Sequence, residues 1–341
     1  VADRLRWGIL STGNIARQFA TGVASSRRGT LAAVGSRTAA SAQTFAKSFK
    51  IPSAHGVYDA VISDPTVDAV YNALPNSMHH AWTIAALKAG KHVLCEKPLA
   101  SNIAQAKEMF DVAAQTGRLL VEAFMYRSHP QTLAVLDAVA SGVVGRVKLV
   151  RTSFCFRTNR PDNNIRFSRE LAGGALMDIG CYCVNLSRAV AGAEPASMTA
   201  TGVLHSSGVD EIAAGTLSFA NGIIASFTCG MTLHADNAAY ICGDAGYIEI
   251  PVPWKPPVGE ARFTIARSTP PRMDSAGKLI PVAPPRETIR LESSDDLYAI
   301  EADDFAAAIA GDRPARITAA DSIGNMAVLD ELRRQVGVIA P

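Results

Sequence analysis

A chain of 341 residues, 48% of them hydrophobic, is long enough for two domains that each bury a core. Its formal net charge of +2, with no basic stripe, argues against a nucleic-acid partner. No run approaches the ~18 consecutive apolar residues of a membrane span. Val1-Ala2-Asp3-Arg4 leads toward a strand without a signal-peptide pattern. The six cysteines (95, 155, 181, 183, 229 and 242) form no C-x-x-C pair. Cys181 and Cys183 would share a face if they lay on a strand, but two thiols are too few for a metal site. Reduced, buried thiols, no metal and a cytoplasmic location are expected, a periplasmic one staying open if a leader was removed.

The first 125 residues alternate short apolar runs with helical spacing. Residues 5–10 read as a strand, Ile15, Phe19 and Val23 as one face of a helix, 31–34 as a second strand, and 39–49 as a helix capped by Thr38. Residues 67–73, 92–95 and 119–121 read as further strands, with helices over 79–89, ending near Gly90, and 102–116. Repeated strand–helix units predict a doubly wound parallel α/β sheet, a Rossmann domain over residues 1–125.

Beyond residue 125 the pattern changes. A helix near 130–141 precedes strand-like segments at 147–152, 197–203, 212–219, 223–229 and 246–250, with a turn at Asn221-Gly222. These predict an α+β domain over 126–341 with a large, mostly antiparallel open sheet. Residues 251–287, rich in Pro and Arg, are expected to be loops with one short strand. The segment after 296 is expected to be helical, with Ala302, Phe305, Ala306 and Ile309 at helical spacing, and able to pack back on the first domain.

Ser11-Thr12-Gly13-Asn14-Ile15-Ala16 lies between the first strand and first helix and fits the G-x-G-x-x-G/A fingerprint, with Ser in the first glycine position. Gly13 would let the backbone approach a pyrophosphate, Ala16 would let the helix pack on the sheet, and the helix N-terminus offers free N–H groups. Ser11, Thr12, Gly13, Asn14 and Ile15 are therefore candidate cofactor contacts. The second strand ends Gly35-Ser36-Arg37-Thr38, with no carboxylate to bind a ribose 2′-hydroxyl. Ser36 and Arg37 can instead pair with a 2′-phosphate, which points to NADP(H).

Three further segments stand out: Leu74-Pro75-Asn76-Ser77-Met78-His79 and Cys95-Glu96-Lys97-Pro98, each after a strand, and Gly173-Gly174 leading into Asp178-Ile179-Gly180-Cys181-Tyr182 and Asn185. The first two lie at strand C-terminal ends, where open α/β sheets bind ligands. Together the segments resemble the Gfo/Idh/MocA oxidoreductase family over essentially the whole chain. Tyr182 and Asn185 depart from that family's Asp-x-Gly-x-His-x-x-Asp pattern and look like the branch of glucose–fructose oxidoreductase, aldose–aldose oxidoreductase, xylose dehydrogenase and dimeric dihydrodiol dehydrogenase. Residues 169–174 and Met125-Tyr126-Arg127 are similar to the same branch.

The resemblance implies that Lys97 borders the nicotinamide, on a Glu-Lys-Pro segment commonly carrying a cis proline, and that Leu74, Pro75, Asn76, His79 and Glu96 line the cofactor site. It also implies a homodimer or higher homo-oligomer built on the open sheet. Tyr182 is the expected general acid/base, Lys97 its partner, and Asp178 the group orienting Lys97 or a sugar. A free phenol, with a pKa of about 10, is a poor base near neutrality. An ammonium about 4 Å away contributes roughly 4 kcal/mol at an effective dielectric of about 20, so Lys97 is expected to bring Tyr182 down toward its working range.

Arg127 and Arg166 are candidate substrate contacts, with structural ion pairs as the alternative. His79 and His129 could equally cap or pack, Tyr298 could reach the cleft or pack its helix, and Phe124, Phe154 and Phe156 read as core. The activity implied is NADP(H)-dependent oxidation of an aldose at C1 to the lactone, in one form coupled through tightly held cofactor to reduction of a second sugar. The alternatives are a trans-dihydrodiol dehydrogenase or dicarbonyl reductase, an NAD-dependent glycosidase, and a catalytically silent NADP(H)-binding sensor.

Overall fold

The computed structural model describes residues 4–159, 161 and 164–339. Its first part is a six-stranded parallel sheet of β1 (Leu5–Leu10), β2 (Gly29–Gly35), β3 (Ser53–His55), β4 (Ala69–Asn72), β5 (His92–Glu96) and β6 (Leu120–Ala123), in the order β3-β2-β1-β4-β5-β6. The connecting helices are α1 (Asn14–Ser25), α2 (Ala39–Phe49), α3 (Tyr58–Ile62), α4 (Asn76–Lys88) and α5 (Ile103–Thr116). The order reverses between β1 and β4, so the crevice at their C-terminal ends is the position where such sheets take a dinucleotide. Helices cover both faces, so Trp7, Ile9, Leu10, Ala69, Val70 and Tyr71 are all buried and these strands read as continuous apolar runs. Thr38 caps α2 by accepting the Ser41 N–H, and Asn102 caps α5 by accepting that of Gln105. Helix α4 starts at Asn76, ahead of the expected 79, with Pro75 at its N-cap and no side-chain cap.

The second part contains α6 (Pro130–Ala140), β7 (Val147–Cys155), α7 (Cys181–Ala191), β8 (Pro195–Leu204), β9 (Asp210–Phe219), β10 (Ile224–Gly230), β11 (Ala239–Gly243), β12 (Gly246–Ile250), β13 (Gly259–Arg267), the two-residue strands β14 (Arg272–Met273) and β15 (Leu279–Ile280), β16 (Arg286–Ser293), α8 (Leu297–Ile309) and α9 (Ala319–Gln335). Eight of the strands form one sheet in the order β16-β13-β12-β11-β7-β10-β9-β8. It is antiparallel except where β7 lies parallel to β10.

Two sequence expectations are corrected here. The stretch 251–287 holds more than one short strand: β13 pairs with β16 from Gly259 to Ala266, and β14–β15 form a separate small hairpin. β13 alternates buried Ala261, Phe263 and Ile265 with exposed Glu260 and Arg262, a strand pattern masked by the prolines before it. Cys181 and Cys183 lie in the first turn of α7, not on a strand. All six cysteines are free; five are buried and Cys242 is half-buried.

The terminal helices lie against the first part of the chain, α8 on α1 and α9 on α5, and α9 also packs on α7 of the second part. Trp7 packs on Phe305 at 5.2 Å between ring centroids, and Asp303 accepts the backbone N–H groups of Arg27 and Arg28. Helix α1 approaches α8 at Gly22, where an added Cβ would lie 2.6 Å from Tyr298 Cβ and 2.8 Å from the Ala299 nitrogen. Gly22→Val is therefore expected to destabilise the fold by about 1–3 kcal/mol through overpacking, read as a lowered midpoint in urea with an unchanged slope.

Candidate active site

The turn from β1 into α1 has the backbone of a phosphate loop. Ser11 stands where the fingerprint has glycine and takes φ of 119°, a conformation glycine adopts readily and serine does not. Its Oγ accepts the Gly13 N–H at 3.0 Å, which helps hold the turn. Gly13 itself has φ of −72°, and an added Cβ there would meet only Ser11 Oγ, at 3.2 Å. The fold thus makes little local demand for glycine at 13; the missing side chain leaves space against the start of α1. That helix start has no side-chain cap and no acidic residue in its first turn, so its N–H groups are available to an anion. Ala16 is fully buried against the sheet. At the end of β2, Ser36 is buried and lies 3.3 Å from Thr12 Oγ1, while Arg37 is exposed. These residues fit a dinucleotide bearing an extra phosphate on its ribose.

A second group converges from both halves of the chain. Lys97, at the end of β5 in a cis Lys97–Pro98 peptide, donates from Nζ to the Asp178 backbone oxygen at 2.7 Å and to Asp178 Oδ1 at 3.3 Å. Arg166 Nε donates to Asp178 Oδ2 at 2.6 Å. Burial pushes the Asp178 carboxyl up, but Lys97 and Arg166 outweigh it and hold its pKa below the usual range. Burial likewise depresses the Lys97 ammonium, and Asp178, Cys181 and Glu96 more than offset it. Asp178 sits on a π-helical turn, Leu176–Gly180, that runs into α7; such turns recur at functional sites. Buried Asp210 anchors the turn by accepting the Leu176 N–H at 2.6 Å.

Tyr182, in the first turn of α7, points into an aromatic enclosure formed by Phe124, Tyr126, Phe154 and Trp254. Its hydroxyl donates to Met125 Sδ at 3.3 Å. Lys97 Nζ lies 5.1 Å from the centre of the Tyr182 ring, over its face. The expected lowering of the phenol pKa is corrected by this geometry. Burial raises it well above the ordinary value, and Glu96, Cys181, Tyr298 and Asp178 push the same way. The ammonium faces the ring while its hydrogen bonds go to Asp178, so the phenol in this structure is a neutral proton donor.

Several sequence candidates have other partners. His79 is fully buried, with Nδ1 2.9 Å from the Pro98 oxygen and Nε2 2.8 Å from the Leu74 oxygen. Burial brings its pKa down to about 4. Both ring nitrogens face loop carbonyls, and the neutral ring can donate to one of them, so His79 braces the two loops from within. Asn76 Nδ2 donates to the Ala172 oxygen across the domain boundary, and Pro75 occupies the N-cap of α4 beside buried Leu74. Glu96 is buried and accepts from the Tyr71 hydroxyl and the Lys97 N–H. Arg127 donates to Asn185 Oδ1 at 3.0 Å and pairs with Asp321 at 3.3 Å, the ion pair that was one of its two expected roles. His129 caps α6 through the Gln131 N–H, and the Tyr298 hydroxyl donates to Gln18.

Sequence reading missed the segment 251–258. Trp254 stacks on Phe154 at 5.6 Å and 11°, and its Nε1 donates to the Ser153 oxygen at 2.8 Å. Phe154, read as core, is only half-buried and forms one wall of the Tyr182 enclosure. A lone tryptophan in a proline-rich stretch gives no periodic signal, so only the tertiary fold reveals it. Among the described residues no group of three His, Cys, Asp or Glu could hold a metal ion, and no helix is long and apolar enough to cross a membrane.

A dinucleotide loop in one half and a Lys–Asp–Tyr group at the junction with the other are the parts of a hydride-transferring oxidoreductase. Residues 5–124 match the family model described as an oxidoreductase family with NAD-binding Rossmann fold, and residues 132–249 match the GFO/IDH/MocA C-terminal domain. The chain belongs to the Gfo/Idh/MocA oxidoreductase family. It is 35% identical to trans-1,2-dihydrobenzene-1,2-diol dehydrogenase of Mus musculus, over 74% of this chain and 76% of that one. It is 38% identical to D-xylose 1-dehydrogenase (NADP(+)) 2 of Haloferax volcanii, over 65% and 68%. The crystal structure of a 3-ketoreductase from Actinomadura kijaniata, in complex with NADP and TDP-benzene, superposes with a TM-score of 0.87 at 29% identity, covering 98% of both chains.

Proposed function

We propose that this protein oxidises an aldose at C1 to the lactone with NADP⁺, and reduces the corresponding carbonyl in reverse, with Tyr182, Lys97 and Asp178 as its catalytic residues. The observation carrying this reading is the junction itself, where Lys97 of the first domain is bonded to Asp178 and lies over the ring of Tyr182. Bound NADP⁺ would supply the hydride acceptor. The N–H groups after Gly13 would hold its pyrophosphate, and Ser36 and Arg37 its 2′-phosphate. In its deprotonated form Tyr182 takes the hydroxyl proton as the C1–H bond breaks, and as the phenol it returns that proton in the reductive direction. Lys97 positions the reacting hydroxyl, and Asp178, fixed by Arg166, holds the ammonium in place. The NADP-named relatives support the cofactor. A panel of aldoses with NADP⁺, followed at the reduced-nicotinamide absorbance, tests the reading; no oxidation of any aldose sinks it.

Arg37→Glu is expected to lower NADP⁺ affinity at least about tenfold, as a charge-assisted pair is replaced by repulsion. NAD⁺ affinity should change far less, and titration of both cofactors checks it.

A second reading, a trans-dihydrodiol dehydrogenase, is favoured by the aromatic walls Phe154 and Trp254 and by the mouse relative. Turnover of a trans-dihydrodiol in preference to every aldose would select it. The uncovered face of the large sheet, where β7, β10 and β11 present Arg151, Ser226, Thr228 and Tyr240, supports a homodimer, which sedimentation of the purified protein tests.

A further inference from the structure

The helix that carries Asp178 and Tyr182 begins without a cap of its own. The turn Leu176–Gly180 runs on into α7 as one helical stretch, and Ala175 at its N-cap has no side chain to offer the first N–H groups. The cap comes from another element. Asp210, the first residue of β9, is fully buried, and its Oδ2 accepts the Leu176 N–H at 2.6 Å. The chain makes room for it at Gly174, where φ is 116° and an added Cβ would overlap Asp210 Oδ1. Leu176 opens the turn that holds Asp178, whose backbone oxygen and Oδ1 take the Lys97 ammonium, and Tyr182 follows in the next turn.

A carboxylate is a costly group for that place. Among the described residues Asp210 Oδ1 has no hydrogen-bond partner, and a buried, half-satisfied carboxylate works against the fold. Burial pushes its pKa up to about 7, against the pull of the Leu176 and Ala175 N–H groups and of Arg333. Arg333, on α9, is shared with Asp330 at 3.3 Å and the Ser101 oxygen at 2.8 Å. From β10 comes the Cys229 thiol, which burial keeps protonated. From β8 comes Leu204, while His205 beyond it bonds to Ser207. Glu211, next on β9, lies on the other face of the sheet. Two effects therefore oppose each other. The fold as a whole prefers the neutral acid, but the ionised form holds the helix start harder, through a charge-assisted bond about twice as strong as a neutral one and through the helix dipole. What the charge improves is placement, and a shift of about 1 Å in a reacting group can change a rate about a hundredfold.

We infer that Asp210 is a positioning residue for the reaction: its carboxylate grips the start of the helix that carries Asp178 and Tyr182, and so sets where both side chains meet Lys97. The inference rests on the reading of Lys97, Asp178 and Tyr182 as the catalytic group. Asp210 touches none of the reacting atoms and acts through the helix. Its folded-state pKa lies above the ordinary 3.8, so the ionised side chain lowers stability at pH 8, and that loss is relieved as pH falls through 7 toward about 4. Rate and stability are thus expected to move in opposite directions when the charge is removed.

The test is Asp210→Asn, which keeps the shape and an acceptor for the Leu176 N–H but no charge. In carbonyl reduction with NADPH at pH 8, kcat of the variant should be lower by about tenfold or more, while the NADPH dissociation constant stays within about twofold. The wild-type reductive kcat should fall about tenfold from about pH 8 to about pH 6, as a group near 7 takes up its proton, and the variant should be flat over that range. This loss runs toward acid, opposite to the loss at rising pH that a proton donor shows. Thermal unfolding at pH 8 needs no substrate: the variant should unfold at the wild-type temperature or above it, whereas a purely structural anchor would leave a lower midpoint. A wild-type rate in Asp210→Asn, an acid limb that survives in it, or a lowered midpoint (failure to fold included) overturns the inference. A wild type that turns over no aldose and no trans-dihydrodiol overturns the functional reading instead, and the variant plays no part in that result.

Discussion

Replacing Tyr182 with phenylalanine is expected to lower kcat by about a hundredfold or more, the usual contribution of a positioned acid/base, while NADPH binding stays within about twofold. The substitution is a clean one structurally. Among the described residues the hydroxyl's only hydrogen bond is to Met125 Sδ, and the ring contacts with Phe124, Phe154 and Trp254 are shared by phenylalanine. Near-normal turnover in this variant would falsify the role. The raised phenol pKa gives a second readout with a definite sign. A raised pKa keeps the protonated, donating form to higher pH, so carbonyl reduction should stay flat past pH ~9, where an ordinary phenol starts to ionise. Oxidation needs the deprotonated form, so its kcat/KM should still climb there. A reductive rate that falls through neutrality would assign the proton to another group.

Lys97→Met should reduce kcat by a factor of about a hundred to ten thousand and should also cost stability. Its removal takes away two hydrogen bonds to Asp178 and leaves that buried carboxylate with Arg166 alone. Breaking a buried pair on one side costs up to about 3–5 kcal/mol, and the retained Arg166 places this case toward the lower end. Thermal unfolding beside kinetics separates the two effects. Lys97→Arg should restore most of the stability and little of the rate, because a planar guanidinium can replace the charge without reproducing the point contact over the Tyr182 ring. Full recovery of rate in Lys97→Arg would reduce Lys97 to a structural ion pair.

The parallel sheet was readable because strands buried on both faces become uninterrupted apolar runs between amphipathic helices. Caps such as Thr38 were readable because capping is chemistry local to the chain. The second sheet was legible except at β13, whose inward positions are partly alanine and which follows a proline-rich strap. In the site, Lys97, Asp178 and Tyr182 were visible as motif residues, but the facing of Lys97 toward the Tyr182 ring was not. That depends on how α7, the π-turn and β5 meet. The same holds for His79 and Arg127, whose partners Pro98 and Asp321 come from distant segments. Trp254 carried no sequence signal because an irregular strap has no period and acquires meaning only from what it covers.

The packing of α8 on α1 has a consequence for the order in which the molecule is assembled. Ser26 and Asp303, which share a hydrogen bond, are 277 residues apart, and Trp7 needs Phe305 to cover its ring. On the ribosome, the nucleotide-binding sheet emerges first but keeps an apolar face uncovered until α8 is synthesised. From the end of β6 to the end of α8, at ~5–20 residues per second, that interval spans roughly 9–37 s. The first sheet is thus completed by the end of the chain, and premature termination before α8 would damage the dinucleotide half of the protein as well as the half in which the break occurs.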